Sequence, residues 1–145
     1  MLNQVHGTCV EIAGHGVLLR GPPGCGKSDL ALRLIDRGAH LVADDRVDLT
    51  IEDDALIASS PANIHGMIEV RGVGLARLPA RDRARLAMVI NLVDHDAVER
   101  LPEPAICSLL GVDLPCLSLE PHTASTAAKV RIAVDAVDNN GLVTA

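Results

Sequence analysis

The sequence contains no phenylalanine, tyrosine or tryptophan among its 145 residues. Single-stranded bases stack on aromatic side chains, so nucleic-acid binding of that kind is excluded. The net charge is −6 and the chain has no basic run, which argues equally against electrostatic binding of nucleic acid. We therefore expect a core of Leu, Val, Ile and Ala, and a partner that is a small anion or another protein.

Metal-type cysteine spacing and long apolar runs are also missing. The four cysteines show no C-x-x-C pattern and no signal peptide precedes them, so neither a zinc site nor a secreted disulfide framework is expected. No apolar run approaches the roughly 18 residues of a membrane helix. These absences indicate a cytoplasmic protein without a membrane partner. The length and a hydrophobic content of 48% suit one α/β domain over residues 1–145.

What the sequence does contain is a phosphate-loop motif. Residues 21–28 fit the pattern G-x-x-x-x-G-K-[ST] at every fixed position, between an apolar run and a helix-like run. Glycines let successive N–H groups face the phosphates, and the helix N-terminus adds its own donors. We interpret the motif as a nucleotide triphosphate site rather than a chance glycine-rich turn. Lys27 would reach the β and γ phosphates, and Ser28 would hold Mg²⁺. The residues of the motif are Gly21, Pro22, Pro23, Gly24, Cys25, Gly26, Lys27 and Ser28.

Two aspartates follow the next predicted strand. Residues 28–37 have helical apolar spacing and Gly38 follows as a stop, which predicts a short helix. The apolar residues 40–43 then end in Asp44 and Asp45. If this strand lies parallel to the one entering the loop, both carboxyl ends meet at the ligand-binding edge of the sheet. One carboxylate can then serve a metal and the other accept a proton, which suits phosphoryl transfer; the alternative is an ordinary acidic turn.

The remaining pattern predicts a mixed set of strands and one further helix. Strands are expected at residues 5–12, 15–20, 46–51, 55–59, 67–71, 86–93 and 114–119, with an exposed turn at Asp53 and Asp54. Residues 123–137 are predicted to form a helix capped by Thr123, with Val130, Val134 and Val137 on one face.

Two charged features stay ambiguous at this point. Alternation in residues 67–71 puts Glu69 and Arg71 on the same face, either as a solvated ion pair or as functional groups near the following Gly72-Val73-Gly74. Residues 76–85 form a short segment with four arginines. It is predicted to be a lid over phosphates, a docking surface for an acidic partner, or a solvated charged loop.

Taken together, five segments resemble the catalytic domain of bacterial HPr kinase/phosphorylase. They are Val5-His6-Gly7, the phosphate loop at 21–28, Leu41-Val42-Ala43-Asp44-Asp45, Glu69-Val70-Arg71-Gly72 and Glu99-Arg100-Leu101, in the family's order and spacing from about residue 4 to about 135. The resemblance implies a compact phosphate-loop fold similar to that of phosphoenolpyruvate carboxykinase, a mixed sheet with flanking helices. It also implies ATP- and Mg²⁺-dependent phosphorylation of a serine on the phosphocarrier protein HPr, reversed by inorganic phosphate to give pyrophosphate.

The same resemblance implies roles for individual residues. Lys27 would bind the phosphoryl group that is transferred, and Asp44 would be the catalytic base. Asp45 would support both the Mg²⁺ ion and the active-site histidine. The other residues so assigned are Ser28 and Glu69 in the Mg²⁺ shell, His6 as the active-site histidine, and Arg71 and Arg100 as arginines near the phosphates.

Departures from the family pattern keep other functions open. Only five residues precede His6, and the chain stops soon after the last predicted helix, so we expect a short form without the N-terminal regulatory domain. The hexamers of long forms are in doubt, and homo-oligomerisation is left open.

Two other functions also fit the sequence. One is a small-metabolite kinase with residues 77–85 as its lid, and the other is a nucleotide-binding regulatory module with little turnover. A motor ATPase of the AAA type needs more chain and a strand ending in Asp-Glu.

Overall fold

The computed structural model describes residues 3–139, which form a β-rich α/β fold. The strands are β1 Asn3–His6, β2 Thr8–Ile12, β3 His15–Arg20, β4 His40–Ala43, β5 Arg46–Glu52, β6 Ala55–Ser59, β7 Met67–Val70, β8 Gly74–Arg77, β9 Arg83–Leu92, β10 Ala105–Leu109 and β11 Val112–Leu119. The helices are α1 Lys27–Asp36 and α2 Thr126–Asn139, and short 3₁₀ turns lie at Ala62–Ile64 and His95–Ala97. None of the helices in this part of the chain is long and apolar enough to cross a membrane.

Within residues 3–139, nine strands form one mixed sheet, and β7 pairs with β8 in a separate hairpin. The main order is β1-β5-β6-β9-β3-β2-β4, with β11 also beside β9 and β10 beside β11. β9 runs parallel to both β3 and β11, whereas the other pairs are antiparallel. The predicted mixed sheet with flanking helices is confirmed.

Apolar side chains cover both faces of the central strands. Val10, Val17 and Leu19 pack with the buried sides of α1 and α2, while Cys9 and Leu18 join a second cluster with residues of β5 and β6. Strands buried on both faces read as nearly continuous apolar runs, as β2 and β3 do. Because the chain has no Phe, Tyr or Trp, branched aliphatic side chains fill most of the two clusters.

One predicted strand is divided in the structure. Residues 5–12 were expected to be continuous, but the chain changes pairing partner at Gly7: β1 pairs with β5, and β2 pairs with β3 and β4. A side chain at Gly7 would place its Cβ 2.9 Å from the carbonyl oxygen of Leu19. Glycine is therefore required where the backbone passes so close to β3.

The basic segment at residues 76–85 is not the loop that the sequence predicts. It contains the end of β8, a connection, and the start of β9, which begins at Arg83 rather than at residue 86. Arg81 pairs with Glu11 at 2.8 Å and Arg83 pairs with Glu52. Edge and hairpin strands with solvated faces lack a regular apolar alternation, which is also why β8 and β10 were not predicted.

The second helix begins later than expected. α2 starts at Thr126, so the prediction that Thr123 caps the helix is wrong. The Thr126 hydroxyl lies 2.6 Å from both Thr123 Oγ1 and the carbonyl oxygen of Glu120, which holds residues 120–123 in a turn. Val130 and Val134 are buried, but Val137 is 39% exposed near the helix end.

Candidate active site

The carboxyl ends of four strands meet at one edge of the sheet. β2 is antiparallel to both β3 and β4, so β3 and β4 run in the same direction with β2 between them. β9 and β11 are parallel to β3. This edge therefore carries the phosphate loop after β3, the Asp44-Asp45 pair after β4, and the chain after β9 and β11. Open α/β sheets bind ligands at such an edge.

The phosphate loop ends in the N-terminus of α1, as the motif predicts. Gly26 is the N-cap with a φ of 107°, and its carbonyl accepts the N–H of Leu30 at 2.9 Å. A side chain there would be strained by this φ and would meet the His122 ring at 2.8 Å. The Lys27 ammonium donates to the carbonyl oxygens of Gly21 and Pro22 at 2.9 and 3.0 Å, so its charge lies over the loop itself.

Asp44 is the buried carboxylate at the centre of the edge. Only 7% of the residue is exposed, and its Oδ1 accepts hydrogen bonds from Ser28 Oγ at 2.7 Å and from Thr8 Oγ1 at 2.9 Å. The backbone N–H of Glu69 lies 3.4 Å from Oδ2. The structure thus joins the loop serine, the first aspartate and β7, although they are distant along the chain.

Asp45 and His6 are both exposed, and backbone pairing brings their segments together next to this edge. Asp45 is exposed with a φ of 69°, and its carbonyl oxygen accepts the N–H of Gly7 at 3.2 Å. His6 is exposed and stands opposite Arg46 in the β1–β5 register. The two predicted residues are therefore brought to the same turn by backbone pairing, with both side chains facing solvent.

The other three sequence-predicted residues are exposed. Glu69 lies on β7, next to Asp44 through its backbone. Arg71 lies in the turn between β7 and β8, where Val73 N–H bonds to Val70 O, so the expected strand alternation does not extend to Arg71. Arg100 lies in the connection between β9 and β10 and makes no hydrogen bond or ion pair with residues 3–139.

The donor set around Ser28 suits a magnesium ion. Mg²⁺ prefers oxygen ligands, keeps several waters and takes one or two carboxylates plus substrate phosphates. Ser28 Oγ lies at the end of the phosphate loop, and the exposed carboxylates of Asp45 and Glu69 lie on the elements next to Asp44, so hard oxygen donors are available beside the loop. Among the described residues no three His, Cys, Asp or Glu side chains form a metal cluster, so a softer, fully protein-bound metal does not fit.

Sequence reasoning missed Thr8, whose hydroxyl supports Asp44. Thr8 is only 1% exposed, and it is one of three buried polar residues in the described chain. A threonine at the start of the largely buried strand β2 was the available signal, but its partner 36 positions away could not be read from the pattern.

A second missed feature is the turn at residues 120–123, which covers the loop. Arg33 of α1 donates to the carbonyl oxygens of Pro121 and Thr123, and the His122 N–H donates to Glu120 Oε1 at 2.9 Å. Between this turn, the loop and the end of β9 lies a cavity of about 420 Å³. It is lined by Pro22, Cys25, Leu92, Val93, Asp94, Ala97, Glu120, Pro121 and His122. The sequence predicted a strand at residues 114–119, but its parallel pairing with β9, which brings its end to this edge, comes only from the structure.

Comparison with known proteins gives a consistent result. Residues 1–141 match the family model described as HPr Serine kinase C-terminal domain. The HPr kinase/phosphorylase of Polaromonas naphthalenivorans is 34% identical over 97% of this chain and 48% of its own length. That of Lactobacillus acidophilus is 40% identical over 65% of this chain and 32% of its own length. The chain thus spans about half or less of the length of the curated relatives it matches.

A solved structure matches the fold. The structure of the HPr(Ser) kinase/phosphatase from Coxiella burnetii superposes with a TM-score of 0.80 at 28% sequence identity. The match covers 95% of this chain and 89% of that chain.

Proposed function

The chain belongs to the HPr serine kinase C-terminal domain family, and on that premise we propose that it transfers the γ phosphate of ATP to a serine of an HPr-type phosphocarrier protein in the cytoplasm. We also propose the reverse reaction, in which inorganic phosphate takes the phosphoryl group from the phosphoserine and pyrophosphate is released. The observation that carries the proposal is the contact of buried Asp44 with Ser28 beside the phosphate loop.

Lys27 binds the transferring phosphate in this proposal. Its ammonium must exchange the carbonyl oxygens of Gly21 and Pro22 for phosphate oxygens, which are stronger acceptors for a cation. The loop N–H groups and the positive end of α1 add to the same field. Phosphoryl transfer depends mainly on such positioning and charge stabilisation.

Asp44 acts as the proton acceptor for the substrate serine. Thr8 and Ser28 orient the carboxylate, and its burial keeps water from competing for it. In the reverse direction the same residue returns the proton to the serine oxygen, because microscopic reversibility requires one group for both directions. Asp45 and His6 are exposed next to this edge of the sheet, where a protein substrate can approach.

Ser28 would hold Mg²⁺, with Asp45 and Glu69 completing the shell from neighbouring elements. The ion would neutralise charge on the phosphates. Arg71 and Arg100, both exposed, are proposed to approach the phosphates when substrate binds. The cavity beside Pro22 would take the nucleoside: apolar Leu92 and Ala97 suit the base, and the chain has no Phe, Tyr or Trp to stack on it.

The proposal is tested by incubating the protein with ATP, Mg²⁺ and HPr, then locating phosphoserine by mass spectrometry. A parallel assay with a panel of small metabolites tests the alternative that the protein is a small-metabolite kinase. Lys27→Ala should lower the rate by about 10²–10³-fold, as for loss of a transition-state donor. Lys129→Ala is the matched control, because it removes the chain's other lysine from an exposed position in α2.

Reversal is tested with serine-phosphorylated HPr, Mg²⁺ and inorganic phosphate, by assaying pyrophosphate. Release of free phosphate alone would mean hydrolysis and refute the reverse reaction. Phosphorylation of a metabolite but not of HPr would refute the protein substrate and leave a small-molecule kinase.

A further inference from the structure

Four side chains form a hydrogen-bonded cluster that the proposed reaction does not use. The Sγ atoms of Cys107 on β10 and Cys116 on β11 are 2.6 Å apart. Arg20 at the end of β3 donates to Asn91 Oδ1 at 3.0 Å and to Cys107 Sγ at 3.1 Å, and Asn91 donates to Cys116 Sγ at 3.0 Å. We call these four residues the thiol cluster.

The two sulfurs are placed for a bond to each other. Cys107 pairs with Leu114 and Cys116 with Ala105, so the cysteines are diagonal neighbours on the antiparallel pair, a position within side-chain reach. A disulfide needs about 2.05 Å between sulfurs, so the gap must close by only about half an ångström. Among the described strands β10 pairs only with β11, so it can adjust to that change.

A metal is a poorer explanation of the cluster. Two thiolates bound to tetrahedral zinc, each at about 2.3 Å, stand farther apart than these sulfurs. The described residues also supply no third His, Cys, Asp or Glu ligand nearby.

We propose that Cys107 and Cys116 form a reversible disulfide, which makes the β10–β11 hairpin a redox-modification site. With hydrogen peroxide or an organic hydroperoxide as oxidant, one cysteine sulfur attacks the terminal peroxide oxygen to give a sulfenic acid, and water or an alcohol leaves. The second sulfur then displaces the hydroxyl from the first, so two thiols lose two electrons and two protons in total. The peroxide is reduced to two molecules of water, or to water and an alcohol. A dithiol reverses the bond by thiol–disulfide exchange.

Cys107 is the sulfur expected to react first. It is half-buried on the edge strand and has the Arg20 guanidinium beside it, the electropositive and accessible setting of reactive cysteines. Burial, and then the hydrogen bond and charge of Cys107, raise the pKa of Cys116 to about 11. Cys116 therefore acts as the resolving thiol.

The thiol cluster adjoins the phosphate loop through Arg20, which directly precedes Gly21. Disulfide formation alters the Cys107 sulfur that accepts a hydrogen bond from Arg20. It also shifts β10 and β11 relative to each other, and β11 carries the Cys116 sulfur that accepts from Asn91. We expect the oxidised protein to bind ATP about fivefold or more weakly, the lower end of typical coupling between sites. This consequence rests on the proposed function, whereas the disulfide does not.

Mass spectrometry tests the disulfide directly. The folded protein is treated with hydrogen peroxide, its remaining thiols are blocked with N-ethylmaleimide, and it is digested with trypsin without reduction. The peptide spanning residues 101–129 contains Cys107 and Cys116 and no other cysteine. We expect this peptide to lose two hydrogens and take no label, and dithiothreitol to restore two labelled sites.

Matched variants locate the effect. Cys25→Ser should keep the internal cross-link, and Cys107→Ser should abolish it. Full labelling of the 101–129 peptide after peroxide, or a cross-link to Cys25 instead, would overturn the proposal. In a fluorescent ATP-analogue titration, equal affinity of the reduced and oxidised wild type would refute the coupling to the loop. Failure of the reduced protein to bind the analogue would instead count against the proposed function.

Discussion

Replacing Thr8 by valine should loosen the buried carboxylate of Asp44 while β2 keeps its shape. Thr8 is 1% exposed and its hydroxyl donates to Asp44 Oδ1 at 2.9 Å. Valine has nearly the same volume and the same β-branched preference for strands, so the change removes a donor rather than packing. The remaining hydroxyl donor is Ser28, at 2.7 Å from the same oxygen.

The magnitude follows from the charge and burial of the acceptor. A hydrogen bond to a charged group contributes about 1.5–3 kcal/mol, and a buried carboxylate cannot recover the lost donor from water. For a chain near this size each kcal/mol shifts Tm by about 2–4 °C, so Tm should fall by about 3–12 °C. Because Asp44 is then less well positioned, kcat should fall by up to about 10²-fold with little change in ATP affinity.

Thermal unfolding by circular dichroism and the HPr phosphorylation assay measure the two effects. Thr50→Val is the matched control, because Thr50 lies on β5, is half-buried and makes no side-chain hydrogen bond in the described chain. A Thr8→Val variant with the Tm and kcat of wild type would refute the idea that this hydroxyl holds the catalytic carboxylate. Equal loss of Tm in both variants would point to general damage from the hydroxyl-to-methyl exchange.

Asp44→Asn should lower kcat by about 10²–10⁴-fold while calorimetry still shows Mg-nucleotide binding; if binding is lost as completely as in Ser28→Ala, the base is Asp45. Glu69→Gln should raise the Mg²⁺ concentration needed for half-maximal activity before it lowers the maximal rate, and an unchanged Mg²⁺ titration would remove Glu69 from the metal shell. Burial raises the pKa of the Cys9 thiol from 9.0 to about 12. The unfolded chain therefore loses this proton first, so the free energy of unfolding should fall as pH rises from 9 towards 12, and Cys9→Ala should flatten that fall in urea titrations.

Local elements of the site were readable from the sequence. α1 was predicted at residues 28–37 and runs from Lys27 to Asp36, and the phosphate-loop spacing located its N-terminus. The strand before Asp44 and the Asp53-Asp54 turn, where both residues have positive φ, also agree with the prediction. These features depend on chemistry within a few residues, such as helical spacing, glycine conformations and a short apolar run.

The sequence argument assumed that β3 and β4 run parallel, and the structure meets that condition, but the strand between them was not predicted. β2 precedes both in the chain and enters the sheet between them, bringing Thr8 beside Asp44. β8 and β10 are short strands without a regular apolar alternation, so their pairing with β7 and β11 could not be expected from the sequence pattern. The roles assigned to the site residues remain predictions: His6, Lys27, Ser28, Asp44, Asp45, Glu69, Arg71 and Arg100.

By itself, the sequence determined that this chain carries a phosphate loop, a short helix behind it and a pair of aspartates after a buried strand, because each is encoded by neighbouring residues. Only the tertiary structure decided which aspartate is buried against Ser28, and that Arg20, Asn91, Cys107 and Cys116 meet. Strand pairing joins residues that are far apart in sequence. It is selected by the burial of whole strand faces, which no local pattern specifies.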